Sequence, residues 1–406
     1  MAAPLEDVTV VEIDNWMASP SAGAILADLG ANVIKVEPLT GDPMRDMGRP
    51  AKVAEEKKNF DYQFDVSNRG KRSIAIDLES EAGMEVVFAL VAAADVFMCN
   101  LLQHRQQRFG LDPSALQRVN NRIVHATLTG YGTGGPEAHR PGYDVTAFFG
   151  RSGLYDAMRE GEMGTVPMAR PAQGDHTTGL AFVGAILAAL RLAERTGEPQ
   201  TVETSLYETA IWTQATDYAI TAVDRAPLRP RARENMINPT ANRYPCGDGK
   251  WVVLNMPEES AWPKLCRVIE REDLLSDERF QDIRGRFQHM PEIVAAIDDA
   301  LSHKSRDQWG EIFDSNGIIW GPVLALHEVA SDPQADALSI FPTLNSEDIG
   351  PYRTVAAPMR FVDAEVGPKA PAPKLGQHTR EILANAGHTE AEIDLLIDSG
   401  AVGELS

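Results

Sequence analysis

The chain of 406 residues suggests two or three domains at about 150 residues each, and it is long enough to bury a large core without covalent staples. Its 38 Lys and Arg against 59 Asp and Glu leave a formal charge of −21, which excludes a general binder of nucleic acid or anionic membrane but leaves room for a small polyanion held by a local basic cluster. The three cysteines, Cys99, Cys246 and Cys266, form no CxxC pair; with 43% apolar and 24% charged residues, this fits a soluble enzyme of a reducing, cytoplasmic setting, without a disulfide framework or a zinc site.

Residues 1–7 lack the basic and apolar regions of a secretory leader, so none is expected. Residues 8–13 (Val-Thr-Val-Val-Glu-Ile) read as a strand, 18–29 as an apolar helix stopped by Gly30, and 32–37 as a second strand, which together make a βαβ unit. The pattern repeats with strand 73–78, helix 81–93, strand 95–99, helix 113–119 and strand 123–129, and predicts a doubly wound α/β domain. Its first turn, Asp14-Asn-Trp-Met-Ala-Ser-Pro20, lacks the GxGxxG glycines that let a backbone approach a pyrophosphate, so NAD and FAD are disfavoured. Residues 130–142 are dense in glycine and predict a long loop. Gly174-Asp-His-Thr-Thr-Gly179 leads into a helix ending near Arg195; its longest apolar run, 179–190, is too short for a bilayer and reads as buried. A strand over 200–206 and a helix to 223 follow, then an Arg/Pro-rich linker at 225–233. A hairpin over 244–254 turning at Gly247-Asp-Gly249, with helices 262–270, 291–301 and 306–316, predicts a smaller α+β domain, and residues 389–399 a last short helix.

Asp175 is the carboxylate of most interest, and it has two readings. It is a helix N-cap, or it is a nucleophile kept ionised by the helix amides, with Gly174 letting a substrate approach. A second feature is basic: Lys35, Arg45, Arg69, Lys71, Arg72, Arg105 and Arg108 fall between the second strand and Gly110. They are scattered surface charge or a phosphate site, and a ligand with a 3′-phosphate and a pyrophosphate, such as coenzyme A, would suit the second reading. His125, His139 and His176 show no metal-ligand or triad spacing, so no metal is expected. Trp16-Met17 is core, or it borders a ligand at the first β-α turn.

At this point a resemblance enters. Ala27-Asp-Leu-Gly-Ala-Asn-Val-Ile-Lys-Val-Glu37, Asn68-Arg-Gly-Lys-Arg-Ser-Ile-Ala-Ile-Asp-Leu78, Gly130-Tyr-Gly-Thr-Gly-Gly-Pro136, Pro141-Gly-Tyr-Asp144, Gly174-Asp175 and Leu375-Gly-Gln-His-Thr379 form an ordered set. It resembles the family III coenzyme A transferases, the group of formyl-CoA transferase and the carnitine and bile-acid CoA-transferases. The resemblance implies a Rossmann-like large domain (1–224), a linker (225–239), a small α+β domain (240–331) and a C-terminal segment (332–406) that returns to the large domain, in an interlocked homodimer. It puts the family's nucleophilic aspartate at Asp175. It puts CoA contacts at Trp16, Met17, Ala18, Lys71, Arg72, Asn100, Arg108 and Phe109, with Tyr131 bordering the thioester.

The activity so implied moves CoA from an acyl-CoA to a carboxylic acid through an aspartyl anhydride and an aspartyl-CoA thioester. CoA is then a co-substrate, with no permanent cofactor, no nucleic acid and no membrane partner. Two alternatives stand beside it. One is proton exchange as in the α-methylacyl-CoA racemases, whose Gly-His-Asp motif is Gly142-Tyr-Asp144 here, so His125 or His139 would have to substitute. The other is a non-catalytic acyl-CoA binding protein. The chain departs from the family at Cys99-Asn-Leu101, at Ser19-Pro20 and in lacking a Gly-rich lid, so substrate identity does not carry over.

Overall fold

The structure is a computed structural model and describes residues 2–47, 60–225, 228 and 230–405. Three residues of the expected linker, 226, 227 and 229, lie outside that set. The chain divides into two compact units, one of Met1–Leu154, Met168–Ala219 and Gln334–Ser406, the other of Tyr155–Pro167 and Ile220–Pro333.

The first unit is built on a sheet of six parallel strands: β1 (Thr9–Ile13), β2 (Asn32–Glu37), β3 (Arg72–Ile76), β4 (Val96–Cys99), β5 (Val124–Thr129) and β6 (Gln200–Ser205). Their spatial order is β3-β2-β1-β4-β5-β6, so consecutive connections reverse direction between β1 and β4. That reversal is the switch point where open α/β sheets bind ligands. The Val/Ile-rich strands have helices on both faces, which is why they read as near-continuous apolar runs. One face packs Val11, Ile34, Ile74, Phe97 and Cys99 against α3 (Glu81–Ala92) and α5 (Pro113–Val119), with Ile382, Leu383 and Ile393 of the C-terminal helices in the same core. The connections between them are α1 (Ala18–Asp28), α2 (Tyr62–Asn68) and α4 (Gln103–Phe109). Every residue of α1 is buried. It packs against α7 (Gln173–Thr196), the helix that follows the short α6 (Leu154–Ala157). The contact depends on Gly179, where a Cβ would stand 2.1 Å from Ser21 Oγ and 2.8 Å from Ala18 O.

The second unit carries a three-stranded antiparallel sheet, β7 (Ala241–Pro245), β8 (Trp251–Asn255) and β9 (Trp320–Val323). The β7–β8 turn lies at the expected glycines: Gly249 takes φ +75° and its N–H donates to Cys246 O at 2.9 Å. Helices Ala261–Val268, Met290–Leu301 and Arg306–Ser315 bury Trp262, Met290, Trp309 and Phe313 against it.

Several elements differ from the sequence expectation. The helix after β6 is two, α8 (Leu206–Thr213) and α9 (Ala215–Asp224). β9 carries Gly321 and Pro322, poor strand formers that an edge position tolerates. The hairpin of β10 (Thr343–Ser346) and β11 (Gly350–Arg353) was not expected. Nor was β12 (Val402–Gly403), which adds antiparallel to β3 and at two residues has no readable period. The long helix α7 is, by length and composition, apolar enough to cross a membrane; it packs against α1 and β6 with Phe182, Val183 and Ile186 buried.

Candidate active site

The cavity at the switch point follows from the topology. β1 and β4 are hydrogen-bonded neighbours, and after them the chain turns away through residues 14–17 and 100–102. Asn100 clamps the first turn: its Oδ1 accepts Asn15 N–H at 3.2 Å and its Nδ2 donates to Asn15 O at 2.7 Å. Trp16 takes a left-handed φ of +69°, with its N–H donating to Asp42 Oδ1 at 3.2 Å. The resulting cavity of about 230 Å³ is bordered by Trp16, Ala18, Asn100, Arg105, Tyr143 and Asp175, with Leu101, Leu102, Leu128 and Leu206 as apolar wall. Tyr143 stands edge-on to Trp16, ring centroids 5.7 Å apart.

Asp175 reaches this cavity from the first turn of α7, as its third residue. The N-cap is Ala172, left-handed at φ +80° and without a side-chain acceptor. The acceptor comes from elsewhere: Asp144 Oδ1 takes Gly174 N–H at 3.0 Å, thirty residues away in sequence. A Cβ on Gly174 would stand 2.3 Å from that oxygen and 2.4 Å from Phe148, so the glycine makes room for Asp144, not for a substrate. Asp175 is therefore not a cap. Among the described residues its carboxyl has no hydrogen-bond or ion-pair partner.

Its charge state also differs from the expectation. Burial and, second, the nearby Asp144 carboxyl push the Asp175 carboxyl up to about 7. The favourable helix-end dipole is outweighed, because the cost of desolvating a charge exceeds the field of one helix end. Asp144 is itself raised by burial, held back by the amides of Ala172 and Gly174. Burial and the neighbouring Asp144 carboxyl thus place the Asp175 carboxyl near half-ionisation at neutral pH.

The remaining expected site residues separate into groups. Lys71 points inward. Its ammonium is wholly buried and donates to Glu12 Oε1 at 2.6 Å, Pro20 O at 2.9 Å and Asn68 Oδ1 at 2.9 Å, so all three of its protons are used. Arg72 pairs with Glu381 at 3.1 Å, and Arg108 with Glu79 on the surface. Phe109 is buried with the Arg108 guanidinium 5.2 Å over its ring. Met17 caps α1 without lining the cavity. Tyr131 lies against Gly142 and is flanked by the guanidinium groups of Arg140 and Arg151, each 5.6 Å from its ring.

The basic cluster is thus largely internal. Lys35 and Arg69 are buried against carboxylates and Arg45 pairs with Glu37, whereas Arg105 lines the cavity. Sequence reasoning missed Asp144, although it ends the Pro141-Gly-Tyr-Asp144 motif. Nothing in local spacing announces a contact across thirty residues.

The histidines give no base at this site. His125 is fully buried, bonded to Leu111 O at 2.9 Å and tilted against Phe97, and burial lowers its basicity. No histidine is among the described residues that line the cavity, and the described residues hold no cluster of metal ligands. All three cysteines are buried and their thiols raised, Cys99 to about 12 and Cys246 to about 11, so none is a reactive thiolate.

With this geometry in view, comparison with known proteins is informative. A profile described as CoA-transferase family III matches residues 5–379. A (R)-2-hydroxy-4-methylpentanoate CoA-transferase of Clostridioides difficile is 32% identical over 403 residues, covering 98% of this chain and 99% of its own. A cinnamoyl-CoA:phenyllactate CoA-transferase of Clostridium sporogenes is 31% identical, covering 96% and 95%. The crystal structure of a CAIB/BAIF family protein from Brucella suis superposes with a TM-score of 0.84 at 29% identity, covering 95% of this chain and all of that one. The chain belongs to CoA-transferase family III and is an enzyme of that class, with coenzyme A as co-substrate.

Proposed function

We propose that this transferase works by covalent catalysis at Asp175. The ionised carboxylate attacks the acyl-CoA thioester carbonyl; the C–S bond breaks, CoA leaves as thiolate, and an acyl-aspartyl anhydride remains. The thiolate attacks the aspartyl carbonyl of that anhydride, releasing the donor acid as carboxylate and leaving an aspartyl-CoA thioester. The acceptor carboxylate attacks this thioester and expels CoA thiolate, giving a second anhydride. The thiolate then attacks the acceptor's acyl carbon, which yields the new acyl-CoA and restores Asp175. Electrons balance without a metal or redox partner, and no net proton is consumed.

The observation that carries this reading is the unpartnered Asp175 carboxyl in the cavity at the sheet's switch point. A carboxyl near half-ionisation at neutral pH is a stronger nucleophile than one with an ordinary acidity, while a useful fraction stays charged. Trp16, Ala18 and Asn100 would border the CoA thiol arm, with Met17 contributing through the backbone of the first turn, Tyr131 the thioester, and Arg72, Arg108 and Phe109 the nucleotide. Arg105 joins that set in place of the Lys71 ammonium. Proton exchange at an α-carbon is less well supported, because the cavity offers Asp175 no histidine partner.

The leucine wall with Trp16 and Tyr143 favours an acyl group larger than formyl or oxalyl. The branched and aromatic 2-hydroxy acids in the names of two relatives fit that wall. Homodimerisation is part of the same reading. Trp212 is 78% exposed, as expected of a surface that a second copy covers. The site is expected to work in the cytoplasm, with the first unit holding CoA. The test of activity is a panel of acyl-CoA donors against carboxylic acids, followed by mass spectrometry of the CoA esters. Transfer by the wild-type chain and its loss in Asp175→Asn support the proposal; equal transfer by both overturns it.

A further inference from the structure

Beneath the cavity lies a set of buried charges that the reaction above does not use. Lys35, in the middle of β2, is wholly buried. Its ammonium donates to Asp14 O at 3.0 Å and Asp14 Oδ1 at 3.1 Å, and pairs with Asp42 Oδ2 at 3.2 Å and Glu12 Oε1 at 3.5 Å. These carboxylates hold it firmly protonated against the opposing effect of burial. Asp42 in turn faces the cavity turn. Its Oδ1 accepts two N–H groups, Met44 at 2.9 Å on its own segment and Trp16 at 3.2 Å in the turn after the neighbouring strand β1. A further bond fixes it from behind, Asp42 N–H to Glu37 Oε2 at 3.1 Å.

The turn that these groups hold is an unfavourable one. Trp16 is a bulky residue in the left-handed region, which only glycine enters freely, and such a conformation persists where its surroundings over-determine it. Each peptide of the turn is pinned: Asp14 O by Lys35, Asn15 N–H and O by Asn100, and Trp16 N–H by Asp42. The indole is thereby directed into the cavity against Tyr143. An extended Trp16 would aim its side chain elsewhere.

We infer that Lys35 and Asp42 are positioning residues for acyl-CoA: Lys35 anchors Asp42, and the Asp42 Oδ1 acceptor holds Trp16 in the left-handed conformation that presents its indole to the bound thioester arm. This inference rests on the reading of Trp16 as a CoA contact. It accounts for a buried lysine in a strand, which propensity and desolvation both disfavour.

The test compares steady-state kinetics of Asp42→Asn, Asp42→Leu, Trp16→Ala and the double variant Trp16→Ala/Asp42→Leu, on full-length protein shown to be folded by circular dichroism. Asp42→Asn keeps the acceptor for Trp16 N–H and loses the charge; Asp42→Leu has a similar shape and no acceptor. Positioning predicts a KM for acyl-CoA within about threefold of wild type for Asp42→Asn, and a rise of about tenfold or more for Asp42→Leu with kcat nearly kept. The KM for the acceptor acid stays unchanged. The double variant is no worse than Trp16→Ala, because both changes remove one contact.

A merely structural role would lower kcat through loss of active protein and leave KM alone. A raised KM in Trp16→Ala with an unchanged one in Asp42→Leu, or additive losses in the double variant, overturns the positioning role while sparing the site. An unchanged KM in Trp16→Ala removes Trp16 from the site, and the positioning role with it. Where Asp42→Leu does not fold, Lys35→Met removes the anchor instead and is expected to raise the same KM; an unchanged KM there overturns the inference.

Discussion

Asp144 caps the helix that carries Asp175: its Oδ1 accepts Gly174 N–H at 3.0 Å, and its carboxyl group is one of the two causes that push Asp175 up to about 7. One residue therefore does two things. It satisfies the end of α7, which frees Asp175 from capping, and it places a like charge beside the carboxyl proposed as the nucleophile. The price is stability, since a desolvated carboxyl without a partner opposes folding when it ionises.

That relationship predicts a stability effect with a definite sign. The folded-state acidity of Asp175 is weaker than the ordinary value of 3.8, so the folded protein holds a proton that the unfolded chain gives up. The destabilisation is absent below about pH 4, grows as pH rises from there to about 7, and is complete above. Asp175→Asn should therefore raise the melting temperature at pH 8, by an amount equivalent to about 1–3 kcal/mol, and leave it nearly unchanged near pH 4. Thermal melts of both proteins across that range check it.

In the proposed mechanism the same group governs the pH dependence of transfer: the ionised form attacks, so kcat/KM should rise with pH and level off above about 7. Asp144→Asn removes the like charge and keeps an oxygen acceptor for Gly174 N–H. It should move the rising limb to lower pH, the direction set by relief of repulsion. An unshifted limb would remove Asp144 from the account.

The proposed site assigns Arg105 and Arg108 to the nucleotide, not the thiol arm. Arg105→Ala and Arg108→Ala should each weaken CoA binding by about 1–3 kcal/mol, the scale of charge-assisted hydrogen bonds. Pantetheine substrates, which lack the nucleotide, should lose less. Isothermal titration with both ligands distinguishes the cases, and equal losses would place the two guanidinium groups elsewhere.

Lys71 should behave in the opposite way. Its buried pair with Glu12 is structural, so Lys71→Met should cost stability on the order of 3 kcal/mol by leaving the buried Glu12 carboxylate with only the longer contact to Lys35, with CoA affinity unchanged in the folded fraction. Denaturant titration beside a binding measurement reads both.

Much of the fold was legible because it is local. Strand β2 and helix α5 fall on the residues that periodicity and caps predict, and α1 ends at Asp28, two residues before Gly30, whose φ is +104°. Asp175 was legible as a candidate because the Gly-Asp pair opens a long apolar helix. What was not legible depends on partners far away in sequence. The Arg69-Gly-Lys-Arg72 run reads as surface charge or a phosphate site, and nothing local shows that Asp28 and Glu12 absorb Arg69 and Lys71. The charge state of Asp175 could not be read either, because local sequence shows the helix amides and hides both the burial and Asp144.

The most direct test of the central claim is to trap the covalent intermediate. The wild-type protein is mixed with acyl-CoA and quenched with hydroxylamine or borohydride, and the peptide containing Asp175 is weighed by mass spectrometry. The account predicts a hydroxamate, or the alcohol left by reduction, on Asp175 and on no other carboxylate, dependent on acyl-CoA and absent from Asp175→Asn. An unmodified Asp175 peptide during active turnover, or an adduct on a different residue, would contradict it.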